Sequence, residues 1–489
     1  MTDPETIPSL VEDLRAYYRG EVASYHMPGH KQRGGVHPLS REVFGDQILH
    51  ADVSEMGGFD YLHAPTGSLQ RAQARAAEVF GAGRTFFLVN GSTGGNLSAI
   101  TAYAGDGDHV LMLRGSHRSV YTGTVLAGAI PRYVPMVHDS ANDGWFLADP
   151  PTRASLPDRL AVIHITRPNY YGMACDLSPY VELAGQTGAV LIVDEAHGSH
   201  FGFHPDLPNS ALREGADIVI QSTHKTLSAL TQASMLHIRA GSKADPARIA
   251  RSLAMLQSSS PSVLLSMSLD LAAEHLRGEG RNDIARAVGL SHRAAVELAS
   301  IEGIRLLVTA GGDPTKLVID VSQLAHSGFS AAQWLRDHER VHVELADLKR
   351  IVCSLTVGDT AETCDILITA VSNLARAAAG ESATGHVSQA TQATHATQAA
   401  KVALPPIPPS PLTPRAALNR VTESVATSDA AGRTCAEYLI PYPPGIPLVV
   451  PGETLTDAVL TALQGFQQAG SRIVGPNDPS VATILVIPA

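Results

Sequence analysis

The sequence predicts an α/β protein with a large domain built on a mainly parallel sheet, a smaller α+β domain, and a short C-terminal α+β module. Three observations carry this. Between about residues 85 and 240, short apolar runs alternate with helix-compatible stretches. Those runs are apolar on both faces, as strands covered by helices on two sides must be. Polar clusters follow their C-terminal ends, where open α/β sheets bind ligands.

Residues 1–60 read as an N-terminal arm, with early acids and no apolar core of a secretory signal. The large domain follows over 61–284. Its strands are TFFLVN (85–90), HVLMLRG (109–115), RLAVIHIT (159–166), AVLIVD (189–194) and ADIVIQS (216–222). GGNLSAITAYA after the first strand and LSPYVELAGQTG before the fourth are expected helices. Residues 285–379 form the small domain: a helix through ARAVGLSHRAAVELASI, strands TKLVIDVS, VHVELAD and IVCSLTV, and a closing helix. Over 380–432 the pattern breaks. ATQATHATQ is a tandem tripeptide, and six prolines fall between Pro405 and Pro414. Such a segment buries too little apolar surface to offset its ordering entropy, so a flexible Ala/Thr/Gln/Pro-rich linker is expected. Residues 433–489, with YLIPYPPGIPLVVPGE and TDAVLTALQGFQQAG, form the C-terminal module.

Composition narrows the function. The chain has 489 residues, 44% hydrophobic and 17% charged, with 36 Lys and Arg against 47 Asp and Glu, a net charge of −11. That excludes a disordered chain. It argues against nucleic acid, whose phosphates demand clustered cations, and suits a cationic small molecule. Cys175, Cys353, Cys364 and Cys435 form no CxxC pair, so they read as thiols of a reducing cytoplasm, with no metal site. No run approaches the roughly 18 apolar residues of a membrane span.

The sharpest chemical signal is Ser222-Thr223-His224-Lys225, just past a buried strand. Desolvation there lowers a lysine's pKa and frees its amine for attack on a carbonyl. VDEAHG ends another apolar strand with Asp194, and a carboxylate so placed needs a cation. The protonated pyridine nitrogen of pyridoxal phosphate is such a cation. VNGSTGGN sets glycines and hydroxyls between strand and helix, a phosphate site at a helix N-terminus. Each signal alone has an ordinary explanation: a solvated lysine, a capping acid, a plain turn. The three in order after successive strands do not.

Through MPGHK, YLHAPTG, AAEVFGA, FFLVNGSTG, VDEAHGSHF, GADIVIQSTHKTLSALTQASML, DPTKLVIDV, VELADL and YPPGIPLVVPGE, the chain resembles the Orn/Lys/Arg decarboxylase family of fold type I pyridoxal-phosphate enzymes. The short bacterial arginine decarboxylase-like branch is the nearest in pattern. The resemblance runs nearly end to end and leaves 380–432 outside. It implies an aspartate aminotransferase-like large domain and pyridoxal phosphate as cofactor. It further implies decarboxylation of a basic L-amino acid for polyamine biosynthesis, arginine ahead of lysine and ornithine, by a cytoplasmic homodimer or larger homo-oligomer.

Carried over by motif, Lys225 is the lysine that bears the cofactor, Asp194 pairs with its ring nitrogen, and His117 of RGSHRSV stacks on its ring. Ser92, Thr93, Gly94, Ser222 and His224 would hold the phosphate, and His197 would face the phenolic oxygen. Lys225 or His117 would deliver the proton that replaces CO2. For the distal cation the candidate acids are Glu344 and Asp347 in VELAD, Glu453 in PGE, and Asp60. His30 and Lys31 of PGHK, and QSSSPS (257–262), are expected to serve a neighbouring subunit's site. His200 reads as a core histidine. Two departures from the family pattern stand out: Pro168-Asn169-Tyr170 replaces the usual Pro-Thr-Tyr, and SEMGGFD is Gly-rich where arginine-branch relatives are more acidic. Two other readings remain open, a transaminase or aldolase on the same scaffold and a catalytically silent partner protein. Intact Lys225, Asp194 and His117 weigh against the second.

Overall fold

The computed structural model describes residues 9–20, 23–32, 36–139, 144–307, 311–384, 404–442 and 445–488. A seven-stranded sheet runs in the order Arg84–Leu88, Ser234–Ile238, Ile218–Gln221, Val190–Asp194, Leu160–Thr166, His109–Leu113, Ile130–Val134. Ser234–Ile238 pairs antiparallel with both its neighbours, and the other pairings are parallel. The fold is therefore α/β with a mainly parallel sheet, as the double-sided apolar runs require.

Successive side chains enter opposite cores. Leu111, Ile163, Leu191 and Val219 pack with Tyr180 and Leu183 of helix Ser178–Thr187. Met112, Val162, Ile192 and Ile220 pack with Ile100 of helix Gly91–Tyr103 and Val120 of helix Arg118–Ala127. Burying each such side chain contributes about 1.5–3 kcal/mol, so the sheet is a rigid platform. Two of its strands were illegible in the sequence. Ile130–Val134 carries Pro131 and Arg132, which only an edge strand tolerates. Ser234–Ile238 carries Ser234 and His237, both fully buried. His237 Nδ1 is 2.8 Å from Thr85 Oγ1, its ring stacks on Phe80, and its Nε2 is buried without a hydrogen-bond partner among the described residues.

The small sheet is antiparallel, in the order Arg305–Leu307, Lys316–Asp320, Arg350–Ser354, Leu345–Ala346. Helices Gly280–Ala299 and Ala361–Thr384 supply Leu298 and Leu374 to its core. Of the expected strand VHVELAD, only Leu345–Ala346 pairs. Asp347 turns the chain directly afterwards, accepting the N–H groups of Lys349 and Arg350 at 2.8 Å each.

The expected linker needs correction. Residues 404–432 are ordered: Thr413 caps the short helix Pro414–Leu418, and Glu423–Ala426 pairs antiparallel with Thr483–Val486. Pro409 O accepts Thr454 N at 2.8 Å, and Arg415 reaches Asp106 at 3.5 Å. Prolines made the composition look disordered, yet they also reduce the entropy that ordering removes. The ATQATHATQ repeat lies in 385–403, outside the described residues. The C-terminal module adds helix Asp457–Gln468 and the pair Ile440–Tyr442 with Arg472–Val474. Among the described residues no helix is long and apolar enough to cross a membrane.

Candidate active site

The C-terminal ends of the parallel strands open onto a cavity of about 550 Å³. Beyond strand Arg84–Leu88, Gly91 has φ +63°, and its N–H donates to Gln232 O at 3.0 Å. Helix Gly91–Tyr103 starts there, so its unpaired N-terminal N–H groups open toward the cavity at Ser92 and Thr93. Gly95 lets this helix lie on the sheet: a Cβ there would stand 2.8 Å from Leu88 Cδ1 and 2.9 Å from Ile220 Cγ2. Ser92 Oγ is 2.7 Å from Ser222 Oγ and 3.3 Å from Ser234 Oγ. Helix N–H groups and clustered hydroxyls make this end an anion cradle. Gly94 sits in the same first turn, behind the lining residues.

Strand Val190–Asp194 delivers Asp194, which is buried. Its Oδ1 accepts from Ala196 N at 3.2 Å and its Oδ2 from Asn96 Nδ2 at 2.8 Å. Asn96 is in turn fixed by Ser119 Oγ, to which Nδ2 also donates at 2.9 Å, and by His164 Nε2, 3.1 Å from its Oδ1. No cation pairs with Asp194 among the described residues. Thr166 Oγ1, also on the cavity wall, is buried without a hydrogen-bond partner there. Asp194 calls for a group that carries a proton donor at this end, and the Thr166 hydroxyl for a polar partner it can meet as donor or acceptor.

Strand Ile218–Gln221 leads into the single turn Thr223–Thr226, which carries Lys225. Lys225 Nζ is 2.9 Å from His197 Nε2. Burial lowers the Lys225 pKa, against the opposing pull of Asp194 and Glu344. Burial also lowers His117, and it holds His197 well below the ordinary value, helped by Lys225 and Lys316. His117 caps helix Arg118–Ala127, its Nδ1 accepting Ser119 N at 3.2 Å. His224 Nδ1 is 2.8 Å from Ala233 O. One cavity thus gathers Lys225, Asp194, His117, Ser92, Thr93, His197, Ser222 and His224.

The proposed substrate residues separate. Glu453 is fully buried and bidentate to Arg114, at 2.6 and 2.7 Å, and accepts Val450 N at 2.9 Å. It ties the C-terminal module to the large domain and has no capacity for a ligand, which corrects its assignment. Glu453→Ala, leaving Arg114 buried and unpaired, is expected to cost about 3–5 kcal/mol of stability. A denaturant titration checks this, and an unchanged midpoint would contradict it. Asp347 Oδ2 accepts the Tyr171 hydroxyl at 2.8 Å while Oδ1 holds its turn. Asp60 accepts five backbone N–H groups, of Tyr61, Thr66, Gly67, Leu69 and Gln70. His30 pairs with Asp52 at 3.1 Å and does not line the cavity. Glu344 is exposed and lines a neighbouring pocket with Cys353 and Ser354, outside the lining of the Lys225 cavity. It has no side-chain hydrogen bond or ion pair among the described residues, and its charge raises both Lys225 and Lys316.

Asn169, the departure from Pro-Thr-Tyr, closes its own turn, its Oδ1 accepting Tyr171 N and Met173 N at 3.0 Å each. Sequence reading missed Asn96, Ser119, His164 and Lys316. Asn96 had a signal: asparagine inside a helix is unfavourable unless its amide has a task. His200 lies buried against Asp313 at 3.1 Å.

Burial holds His164 down to about 4 and His237 to about 3, from an ordinary 6.5. The folded state therefore binds fewer protons than the unfolded one. Stability is complete above 6.5 and is lost as pH falls toward those values, by about 1.4 kcal/mol per pH unit for each ring. The melting temperature is expected to fall steadily from neutral pH to about 5. A flat profile over that window would contradict the burial of these two imidazoles.

Comparison with known proteins now adds to the geometry. The family model "Orn/Lys/Arg decarboxylase, major domain" matches residues 8–310, and "Orn/Lys/Arg decarboxylase, C-terminal domain" matches 393–476. The second match takes in much of the segment that the sequence resemblance left out. An arginine decarboxylase of Halalkalibacterium halodurans is 34% identical, covering 100% of this chain and 99% of its own. One of Bacillus subtilis is 35% identical, covering 98% and 97%. The structure of Escherichia coli constitutive lysine decarboxylase superposes with a TM-score of 0.83 at 21% identity, over 99% of this chain and 82% of that one, and shows a shared fold.

Proposed function

The chain belongs to the Orn/Lys/Arg decarboxylase family, and on that premise we propose that it converts arginine to agmatine and CO2, with Glu344 holding the distal cation. The enzyme is a pyridoxal-phosphate-dependent decarboxylase of basic amino acids. Bound pyridoxal phosphate supplies an electron sink for the carbon that loses CO2.

The chain's own residues do the rest. Ser92, Thr93, Gly94, Ser222 and His224 hold the phosphate at the helix N-terminus. Asp194, aimed by Asn96, keeps a proton at the ring nitrogen. By family motif, His117 would cover the ring and His197 would serve its phenolic side. Burial favours the neutral form of the Lys225 amine, which a nucleophile requires. Once CO2 has left, Lys225 or His117 returns a proton to Cα.

The observation that carries the arginine reading is the uncommitted, exposed carboxylate of Glu344, whose charge is felt at Lys225 from the pocket beside the cavity. Asp347, Asp60 and Glu453 are each engaged in holding backbone or a buried arginine. A planar guanidinium pairs well with such a carboxylate. The full-length relatives named arginine decarboxylase point the same way. Glu344→Gln is expected to remove about 2–4 kcal/mol of the preference for arginine over neutral citrulline, measured as a ratio of kcat/KM. An unchanged ratio would assign the cation to another residue.

We also propose a cytoplasmic homodimer or larger homo-oligomer. Helix Pro38–Ala51 buries none of its residues and exposes Leu39, Val43, Phe44 and Ile48, an apolar face that a second copy would cover. Ser258, Ser259 and Ser260 of QSSSPS are exposed, as residues lent to a neighbour would be in one subunit. The free cysteines fit a reducing compartment.

A further inference from the structure

His197 lies between two amines. Lys225 Nζ is 2.9 Å from its Nε2, and Lys316 Nζ is 3.4 Å from its Nδ1. His197 is 6% exposed and Lys316 is 7% exposed, which leaves little access for water on that side of the triplet, while Lys225 is exposed to the cavity. Lys316 opens strand Lys316–Asp320 of the small domain, and its Nζ also donates to Ser354 Oγ at 2.6 Å. Gly172 permits its approach, since a Cβ there would stand 2.8 Å from Lys316 Cβ.

Donor counting constrains this triplet. An ammonium only donates, whereas a neutral imidazole donates from one nitrogen and accepts at the other. Two ammonium groups on one neutral ring would set a donor against a donor, so one lysine must be the neutral amine. With one of the two lysines charged, two arrangements satisfy every atom. Either Lys316 is charged, Nδ1 accepts, and the Nε2–H donates to neutral Lys225, or each role is reversed.

We propose that Lys225, His197 and Lys316 form a proton relay in which Lys316 is the proton store and acts as a positioning residue for Lys225. In the forward direction, an N–H bond of the Lys225 ammonium breaks as its proton passes to His197 Nε2. The Nδ1–H bond breaks as that proton passes to Lys316 Nζ. The imidazole stays neutral with its tautomer exchanged, one positive charge has moved from Lys225 to Lys316, and no external acid or base is consumed. The reverse direction returns a proton to Lys225 for delivery to substrate carbon.

The surrounding charges suit this exchange. Asp194 and Glu344 favour charge on Lys225, while Glu344 and Asp313 favour it on Lys316. His117 and His200 also act on His197, and Tyr170 meets its ring edge-on at 5.4 Å. When Asp194 is engaged by a protonated ring nitrogen, Lys225 loses its largest counter-charge. Lys316 then becomes the better home for the proton, at the step where Lys225 must be neutral.

The inference rests on Lys225 being the cofactor-bearing lysine. The test uses full-length protein stripped of pyridoxal phosphate with hydroxylamine. Recapture is followed by visible absorbance against pH, with borohydride reduction and peptide mapping to locate the attachment. In Lys316→Met the neighbouring positive charge is gone, so the pH midpoint of capture is expected to rise by about one unit, with capture about tenfold slower at neutral pH. Lys316→Arg keeps the charge but cannot release a proton. It is expected to capture like wild type while turnover falls about tenfold or more, and this split decides the matter even if Lys316→Met does not fold. A wild-type capture profile in Lys316→Met would overturn the relay, as would full turnover in Lys316→Arg. Attachment at a residue other than Lys225 would overturn the site assignment, and the relay with it.

Discussion

Lys225→Ala is expected to lower turnover by on the order of 10⁴-fold or more, because it removes a nucleophile and a proton-transfer group together. The protein should stay folded. Lys225 sits in a single turn, and its Nζ has His197 as its hydrogen-bonding partner among the described residues. Its side chain is exposed to the cavity and fills no core, so removing it costs the folded state little. The variant should also lose the visible absorbance of the lysine-bound cofactor and the label that borohydride fixes on the chain. Retention of turnover within tenfold of wild type, in folded and colourless protein, would remove Lys225 from the chemistry.

Asp194→Asn is the second large effect, a loss of about 10³-fold in kcat at near-normal stability. The amide keeps the shape, and its carbonyl oxygen can still accept from Asn96 Nδ2, which now contacts Asp194 Oδ2 at 2.8 Å, at the loss of the longer 3.2 Å bond from Ala196 N. What disappears is the charge that holds a proton on the ring nitrogen. The loss should therefore appear in kcat while cofactor retention falls much less. Asn96→Ala leaves that charge but frees its orientation, and should cost about tenfold. Equal losses in Asp194→Asn and Asn96→Ala would indicate that packing, and not charge, is what the site needs.

Much of this site was legible because its residues follow strands buried on both faces. Apolar continuity in AVLIVD and ADIVIQS located the strand ends, and the strand ends located Asp194 and Lys225. The candidate phosphate cradle was legible only jointly: glycines and hydroxyls at a turn are ordinary alone, and gained weight from Asp194 and Lys225 following successive strands. Lys316 was not, because it begins an ordinary strand of another domain and reaches His197 only through tertiary packing. Glu453 misled because a family-like motif gives position in sequence but not burial, and its partner Arg114 lies more than three hundred residues away. The linker misled in the opposite way. Pro409 and Thr413 are ordered by bonds to distant backbone and by a helix cap, neither of which composition records.

The most direct test of the central claim supplies purified, cofactor-loaded protein with arginine, lysine and ornithine separately, and measures CO2 and amine together. Agmatine and CO2 should form from arginine in equal amounts, with a higher kcat/KM than for cadaverine from lysine or putrescine from ornithine. Faster formation of cadaverine or putrescine would contradict the arginine assignment, and absence of CO2 and amine from all three substrates would contradict the decarboxylase itself.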